Sequence, residues 1–348
     1  MIIKLGGTAN PSPYMGGGFF YYLNLFYLLE EKMKMLKDVL KNIAIMILAI
    51  MMVGCNNKSA ETQYAKNKEK IKIGAIQYVE HISLDNALKG FEDGLREEGL
   101  YVEIDKVNLQ GDLALTTTMP KKYEGEEYFL VYAISTPVAQ GVKQALPNKN
   151  IVFAAVTDPI KSGIVKSKDE IKNITGVTDA VSSKEQLVSF LEYFPDVKTI
   201  GTIYSTSESN SEVQIKELEE SCKELGLSLK VVGINNINDI GQAISSMKDE
   251  IDAYYAITDN TVASSIPVIS ETLIKNKIPS LSAEEGQVEK GLLMSEGVNY
   301  YEHGKQAASL AVRLLKGEDI TKISVEENKQ KSKKINQETA KKLGVEIK

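Results

Sequence analysis

IKIGAI (71–76) is the stretch that decides the fold, because its last four residues return in similar form as IGTI (200–203). The first run predicts a buried β-strand, and the apolar residues that follow it recur at helical spacing until Gly99. A similar succession follows the second run, where the predicted helix ends at Gly226. The chain of 348 residues therefore contains an internal repeat.

Further pairs of similar stretches follow in the same order in both halves. They are residues 96–104 with 223–231, 132–136 with 255–259, 162–167 with 290–295, and 175–179 with 296–300. In the first half, predicted strands alternate with helical patterns, and these strands are YVEIDKV (101–107), YFLVYAI (128–134) and IVFAAV (151–156). This alternation is typical of a parallel sheet that is covered by helices on both faces. The sequence therefore predicts an α/β fold of two similar lobes with a ligand cleft between them.

The repeat also predicts where the chain passes between the lobes. Gly176 and Gly297 occupy equivalent positions, each shortly before such a passage. We expect lobe 1 to comprise residues 71–179 and about 300–318. Lobe 2 is expected to comprise residues 180–299 and about 319–348.

The composition limits the classes of partner. The chain has a formal net charge of −6 and a pI of about 5.3, and it shows no basic patch. This acidic balance argues against nucleic acid as a partner. The two cysteines, Cys55 and Cys222, lie far apart in the sequence and predict no disulfide framework.

The N-terminal region has the features of a secretory signal. Lysines at 34, 37 and 41 precede the uncharged run IAIMILAIMMV (43–53), which is too short to span a bilayer as a helix. Gly54-Cys55 then resembles the bacterial lipobox, in which the cysteine is lipidated. A buried hydrophobic helix is the alternative, but the polar stretch 55–70 is typical of a flexible tether. We expect an extracytoplasmic protein anchored to the cell membrane through Cys55, with residues 1–32 as a doubtful extension of the signal region.

The loops that leave the carboxyl ends of the predicted strands carry small hydroxyls, amides and acids. In open parallel sheets, ligands bind beyond these ends, so two facing lobes place such loops around one cleft. The candidate ligand-binding residues are Gln77, Tyr78, Glu80, His81, Ser135, Thr136, Thr157, Asp158, Asp179, Ser207, Asn210, Asp259, Asn260, Glu284 and Tyr300.

Several of these residues have a structural alternative. Asp158 stands in a turn before Pro159, and Asn210 begins a predicted helix, so either side chain can cap backbone N–H groups instead. Asp259 also precedes a helix. We expect it to contact ligand rather than to cap, because Asn260 and Thr261 can cap that helix in its place.

The motifs QYVEH, GDL, STPVAQ, FAAVTDP, GVTD, TDNTV and GVNYYEHGKQAA together resemble one family over about residues 70–348. It is the ABC transporter substrate-binding family whose characterised members bind aromatic amino acids. The resemblance implies two Rossmann-like lobes of the periplasmic-binding-protein type I kind, which close on a ligand about a hinge. It further implies a small-molecule ligand, an ABC permease as membrane partner, no cofactor and a monomer.

An amino acid ligand requires donors for its carboxylate and an acid for its ammonium. The predicted helix that follows Ser135 and Thr136 offers free N–H groups to a carboxylate, and Asp259 offers a charge to the ammonium. An aromatic side chain would stack on a tyrosine, because the chain has no tryptophan. The candidates are Tyr78, Tyr204 and Tyr300, each of which can also pack in the core.

Enzymatic motifs are missing from the sequence. His81 and His303 are the two histidines, and neither belongs to a zinc-binding or nucleophile motif. We therefore expect a binding protein and not an enzyme. The alternatives are a sensor ectodomain and, less favoured, a secreted enzyme on a Rossmann-like scaffold.

Overall fold

The computed structural model describes residues 70–347 together with Met33 and Lys37. Within these residues the chain forms two six-stranded sheets. The strands of the first half are β1 (Ile71–Gln77), β2 (Val102–Asn108), β3 (Tyr128–Ile134), β4 (Asn150–Val156) and β5 (Ile174–Thr178). Those of the second half are β6 (Thr199–Ser205), β7 (Ser228–Ile234), β8 (Ala253–Ala256), β9 (Ser280–Glu284) and β10 (Met294–Val298). The C-terminal strands are β11 (Glu326–Glu327) and β12 (Lys331–Ile335).

Helices connect these strands. Those before β6 are α1 (Ile82–Glu97), α2 (Leu115–Thr118), α3 (Thr136–Ala145) and α4 (Ser183–Tyr193). Those between β6 and β10 are α5 (Ser209–Leu225), α6 (Ile240–Met247), α7 (Asn260–Ala263), α8 (Ile266–Lys275) and α9 (Glu285–Glu289). The last two are α10 (Tyr300–Leu315) and α11 (Gln337–Leu343). Short 3-10 turns span Met119–Tyr123, Ile237–Asp239 and Ile320–Lys322.

The two sheets have the same strand order. The first runs β11-β5-β4-β3-β1-β2 and the second runs β12-β10-β9-β8-β6-β7. All pairs are parallel except β10 with β12, which is antiparallel. Each strand of the first sheet therefore has an equivalent in the second, and the predicted repeat of two α/β halves is confirmed.

Apolar runs make the central strands because both faces of a parallel sheet are buried. In β3, the residues Leu130 to Ile134 are all fully buried. In the second sheet, Ala253 and Tyr255 of β8 belong to one hydrophobic cluster, while Tyr254 and Ala256 belong to another. Because neighbouring side chains of a strand point to opposite faces, each cluster lies on one face of that sheet.

The C-terminal part of the chain crosses between the lobes more than once. Helix α10 follows β10 of the second sheet, but it packs on α1, and its apolar residues join the core of the first lobe. Strand β11 then pairs with β5, and β12 pairs with β10. The chain therefore returns to the second lobe after Glu327 and not near residue 319 as expected, because the segment up to β11 extends the first sheet.

Helices α1 and α10 touch through glycines. A Cβ atom on Gly90 would lie 1.9 Å from the carbonyl oxygen of Tyr301, and one on Gly304 would lie 2.1 Å from that of Ala87. Both distances are far below van der Waals contact, so the two backbones can approach this closely only where side chains are absent. The position of α10 therefore depends on these glycines.

The predicted signal segment, Cys55 and the tether lie outside the described residues, apart from Met33, Lys37 and Lys70. Among the residues that are described, no helix has the length and apolar character needed to cross a membrane.

Replacing Gly90 with alanine should destabilise the protein by about 1–3 kcal/mol, because the added methyl group forces the two helices apart. Gly241 in α6 is the matched control, since no atom lies within 4 Å of a Cβ placed there. Gly241→Ala should be neutral or stabilise by up to about 1 kcal/mol, because alanine is the better helix former. Chemical denaturation measures both changes, and equal effects at the two positions would contradict the close approach of α1 and α10.

Candidate functional site

A small cavity lies between the lobes at the carboxyl ends of the strands. Its volume is about 10 Å³, which is close to the minimum that holds one water molecule. Both sheets contribute to it. The first lobe supplies His81, Ser83, Leu84, Ala155, Asp179 and Tyr300, and the second supplies Thr258, Asp259, Asn260, Ala263, Glu284 and Gln287.

A larger depression of about 610 Å³ lies at the opposite ends of the strands, where β1, β3 and β4 begin. Exposed Lys72, Glu126 and Glu127 are among the residues that line it. We place the candidate site in the smaller cavity, because buried polar atoms without partners lie there and because both lobes reach it.

Six of the predicted site residues line this cavity, and they are His81, Asp179, Asp259, Asn260, Glu284 and Tyr300. The other nine do not line it. They are Gln77, Tyr78, Glu80, Ser135, Thr136, Thr157, Asp158, Ser207 and Asn210.

Residues of the first lobe that lie outside the cavity shape its loops. Gln77 Nε2 donates to Asp85 Oδ1 at 2.7 Å, and the buried Tyr78 hydroxyl donates to the Gly111 carbonyl at 2.8 Å. Asp158 Oδ1 accepts from the backbone N–H of Lys161 at 2.8 Å, so this side chain caps its own turn. Glu80 is exposed.

Polar residues that follow β3 and β6 also lie outside the cavity lining. Ser135 caps α3 by accepting from the Val138 N–H at 3.4 Å, and the Thr136 hydroxyl is buried without a partner. Ser207 is exposed and lies 2.9 Å from the Ser205 hydroxyl. Asn210 Nδ2 donates to the Thr258 carbonyl at 3.1 Å.

Direct contacts join the two lobes around the cavity. His81 Nε2 lies 3.4 Å from Asn260 Oδ1, and the hydroxyl oxygens of Thr157 and Thr258 lie 3.4 Å apart. Further out, Gln140 Nε2 lies 3.3 Å from the Ser209 hydroxyl. The cleft is therefore closed in this structure.

Asp259 and Glu208 form a buried pair of acids at the start of α7. Asp259 accepts from the N–H of Val262 at 2.8 Å and from the N–H of Ser205 and the hydroxyl of Ser211, each at 2.6 Å. Asp259 is itself the N-cap of α7, so the expectation that Asn260 or Thr261 replaces it in that role is wrong. Burial, with the charge of Glu208 as the second cause, raises the pKa of Asp259 to about 7.

Glu284 plays a similar part at α9. Its carboxylate accepts from the N–H groups of Gly286 at 2.6 Å and Gln287 at 3.1 Å, so it caps this helix. Burial raises the pKa of Glu284 to about 7, although hydrogen bonds from the Ser83 side chain and from these N–H groups oppose the shift.

Three buried polar atoms of the lining residues have no hydrogen-bond partner. They are His81 Nδ1, Asp179 Oδ1 and Gln287 Oε1. Such atoms are rare in folded proteins because leaving them unpaired is unfavourable. None of the twelve lining residues is lysine or arginine, while three are acids. The cavity is thus suited to a small ligand that donates hydrogen bonds and carries a positive group.

A family model described as ABC transporter substrate binding protein matches residues 72–348. The chain belongs to this family. The predicted family is therefore confirmed, and the fold agrees with it.

Several substrate-binding proteins resemble the chain over almost their whole length. A tyrosine-binding protein of Clostridioides difficile is 36% identical over 321 residues, which are 89% of this chain and 93% of that protein. The structure of an ABC domain from Streptococcus pneumonia in complex with L-Trp is 33% identical and has a TM-score of 0.76. The ligand-free, open structure of a substrate-binding protein with adhesive properties from Clostridium difficile is 37% identical and has a TM-score of 0.63. Each solved structure covers 80% of this chain, which covers 96% of each.

These structures also test the predicted fold. Two Rossmann-like lobes of the periplasmic-binding-protein type I kind were expected, and the two parallel-dominated sheets with their helices match such proteins. The fold prediction is therefore confirmed for this substrate-binding protein.

Part of the site was not predicted from the sequence. The missed lining residues are Ser83, Leu84, Ala155, Thr258, Ala263 and Gln287. Ser83 and Gln287 lie in the first turns of helices that start at predicted loops, and this position could have identified them. Glu208 was also missed, and it accepts hydrogen bonds from Asn260 and Thr261. Its position just before α5 is a weaker indication of a site residue than the helix positions of Ser83 and Gln287.

The raised pKa of Glu284 has a consequence for stability in this substrate-binding protein. A buried acid with a pKa of about 7 binds its proton more tightly in the folded state than in the unfolded state, where the value is 4.5. The contribution of this group to folding is therefore lost as the pH rises between these two values. Replacing Glu284 with glutamine removes that loss.

The stability of Glu284→Gln relative to wild type should therefore increase by about 2 kcal/mol between pH 5 and pH 8. Urea denaturation of both proteins without ligand, at a series of pH values, measures this difference. The control is Glu285→Gln, one residue further along and outside the cavity. A Glu284→Gln difference that is constant over this pH range would contradict the raised pKa.

Proposed function

We propose that this chain is the extracytoplasmic solute-binding component of an ABC importer and that it captures an aromatic amino acid between its lobes. The observation that carries the proposal is the closed, acidic cavity in which Asp179 Oδ1 is buried without a partner. The other oxygen of Asp179 accepts from the Tyr300 hydroxyl at 2.5 Å, which holds the carboxylate in place. In this proposal, the free oxygen accepts from the ammonium group of the ligand.

The first turn of α1 is suited to the ligand carboxylate. His81 at the N-cap makes no side-chain cap, and Ser83 adds a hydroxyl in the first turn of the helix. Free N–H groups and the helix dipole together favour an anion at this position. The start of α3 was the expected place, but the Ser135 side chain already caps that helix, and neither Ser135 nor Thr136 lines the cavity.

The ligand side chain would lie against the apolar part of the lining, which is formed by Leu84, Ala155, Ala263 and Tyr300. The two relatives whose names state a ligand bind tyrosine or tryptophan, which supports an aromatic amino acid for this chain. Pockets for small molecules commonly measure about 300–1,000 Å³. The cavity here is far smaller, so the lobes must lie further apart than in this structure when they hold such a ligand. The higher TM-score to the L-Trp complex than to the open structure agrees with a closed form here.

The remaining parts of the proposal concern the place of the protein in the cell. The family supports a membrane permease as partner, and we propose that the protein acts as a monomer that releases its ligand unchanged. The basic residues, apolar run and Gly54-Cys55 support a lipid anchor on Cys55.

Asp179→Asn should weaken binding of the amino acid by about 2–4 kcal/mol, which is roughly 30- to 1000-fold in Kd. The amide keeps the size of the side chain and an acceptor for Tyr300 but removes the charge that faces the ammonium. Calorimetry with L-tyrosine, L-tryptophan and L-phenylalanine measures the effect. Asp158→Asn is the control and should leave affinity unchanged, because Asp158 lies outside the cavity. Wild-type protein that binds none of these amino acids would contradict the proposed function.

Cys55→Ala should move the protein from the membrane fraction to the soluble fraction of fractionated cells, because the residue that carries the lipid is lost. A processed variant that remains membrane-bound would contradict the lipid anchor without affecting the proposed ligand.

A further inference from the structure

Three residues that line the cavity carry unpaired hydrogen-bond acceptors, and another atom of each side chain makes a hydrogen bond. Asp179 is held by the Tyr300 hydroxyl, which leaves Oδ1 free. The Gln287 amide donates through Nε2 to the Ile257 carbonyl at 3.1 Å, which leaves Oε1 free. His81 is the third, and its unpaired atom is Nδ1. Whether Nδ1 is an acceptor depends on where the imidazole carries its proton.

The proton of His81 is placed by the residues of the opposite lobe. Glu208 accepts from the Asn260 N–H, the Asn260 side-chain amide, the Thr261 N–H and the Thr261 hydroxyl. Because this carboxylate takes only donors from α7, the NH₂ group of Asn260 must face Glu208. The amide oxygen of Asn260 therefore faces His81.

An amide oxygen accepts hydrogen bonds and cannot donate them, so the His81 nitrogen beside it must carry the proton. That nitrogen is Nε2, which lies 3.4 Å from Asn260 Oδ1. Burial lowers the pKa of His81 to about 4, so the ring is neutral near pH 7 and has a single proton. Nδ1 therefore carries a lone pair.

We infer that His81 Nδ1, Asp179 Oδ1 and Gln287 Oε1 together form the binding site for a primary ammonium group, with Glu208 and Asn260 as positioning residues that fix the tautomer of His81. This inference rests on the proposed function and specifies how it recognises its ligand. An ammonium group has three N–H donors, and the cavity lining offers three unpaired acceptors, from the residue after β5, from α9 and from the N-cap of α1. The acceptors come from both lobes, so the site is complete only when the lobes come together around the ligand.

The tautomer can be measured without ligand. Full-length protein labelled with ¹⁵N in histidine alone gives signals from two rings, because the chain contains only His81 and His303. His303 is an internal reference with the opposite tautomer. Its Nε2 accepts from the Ala155 N–H at 3.1 Å, and its Nδ1 lies 3.2 Å from Asn328 Oδ1. NMR spectra that correlate ring nitrogens with ring protons should show the proton on Nε2 in His81 and on Nδ1 in His303. A proton on Nδ1 of His81 would overturn the inference.

A pair of variants tests the role of His81 in binding. His81→Gln places an amide near the position of Nε2 and leaves nothing at Nδ1, whereas His81→Asn places a carbonyl oxygen near Nδ1. Calorimetry on the full-length protein should show that His81→Gln raises the Kd of L-tyrosine roughly 10- to 100-fold, as expected for a lost hydrogen bond to a charged group. His81→Asn should recover most of the affinity. Unchanged affinity in His81→Gln would overturn this inference but not the proposed function, because wild-type binding would still support the latter.

Binding of L-phenylalanine shows whether His81 Nδ1 accepts a hydrogen bond from the ammonium or from the phenol of the ligand. It keeps the ammonium and lacks the hydroxyl, so His81→Gln should weaken its binding by the same factor as that of L-tyrosine. A loss confined to L-tyrosine would place the phenol at Nδ1 and overturn the assignment to the ammonium. If wild-type protein binds neither these amino acids nor L-tryptophan, the proposed function fails and the inference fails with it.

Discussion

The close packing of α10 on α1 determines how the lobes are joined and how the site is built. Helix α10 follows the last parallel strand of the second lobe, yet the approach of Gly304 to Ala87 keeps it in the first lobe. Its first residue, Tyr300, can therefore hold Asp179 at the carboxyl end of β5. One turn later, His303 contacts Asn328 in the segment that crosses back. The contact of α10 with α1 thus positions both Tyr300 at the cavity and His303 at the segment that returns to the second lobe.

The buried acids around the cavity are tolerated because helix N-termini receive them. Asp259 and Glu208 accept from the first N–H groups of α7, and Glu284 accepts from those of α9. These hydrogen bonds compensate only part of the cost of burial, as the raised pKa of Asp259 and of Glu284 shows. The remaining cost disfavours the ionised, ligand-free cavity. A cationic group that enters it would offset this cost, so the same acids that shape the loops also favour an ammonium ligand.

The order of the strands was predictable because each half of the chain repeats the same succession of strand, helix and glycine. Gly99 and Gly226 show this well, since both adopt a positive φ at the end of their helices. The place of β11 was not predictable, because two glutamates carry no strand pattern and pair with β5 only through the course of α10. At the site, the sequence showed which loops meet but not which polar group faces inward. Asp259 illustrates this limit, because a cap and a ligand contact require the same residue type at the same position.

Ser83 and Gln287 show a related limit, since they lie in helices rather than loops and belong to different lobes that meet at the cavity. Closure also explains how recognition can depend on few groups. In an open cleft, each unpaired acceptor would be hydrated, and water would satisfy it as well as a ligand does. In the closed form, His81 Nδ1, Asp179 Oδ1 and Gln287 Oε1 are buried, so a ligand that leaves one of them unpaired bears the full cost of its desolvation. A ligand with three donors therefore favours the closed state more than a ligand of the same shape with fewer donors. Discrimination then arises from the equilibrium between open and closed lobes, because only differential affinity for the closed state can shift that equilibrium.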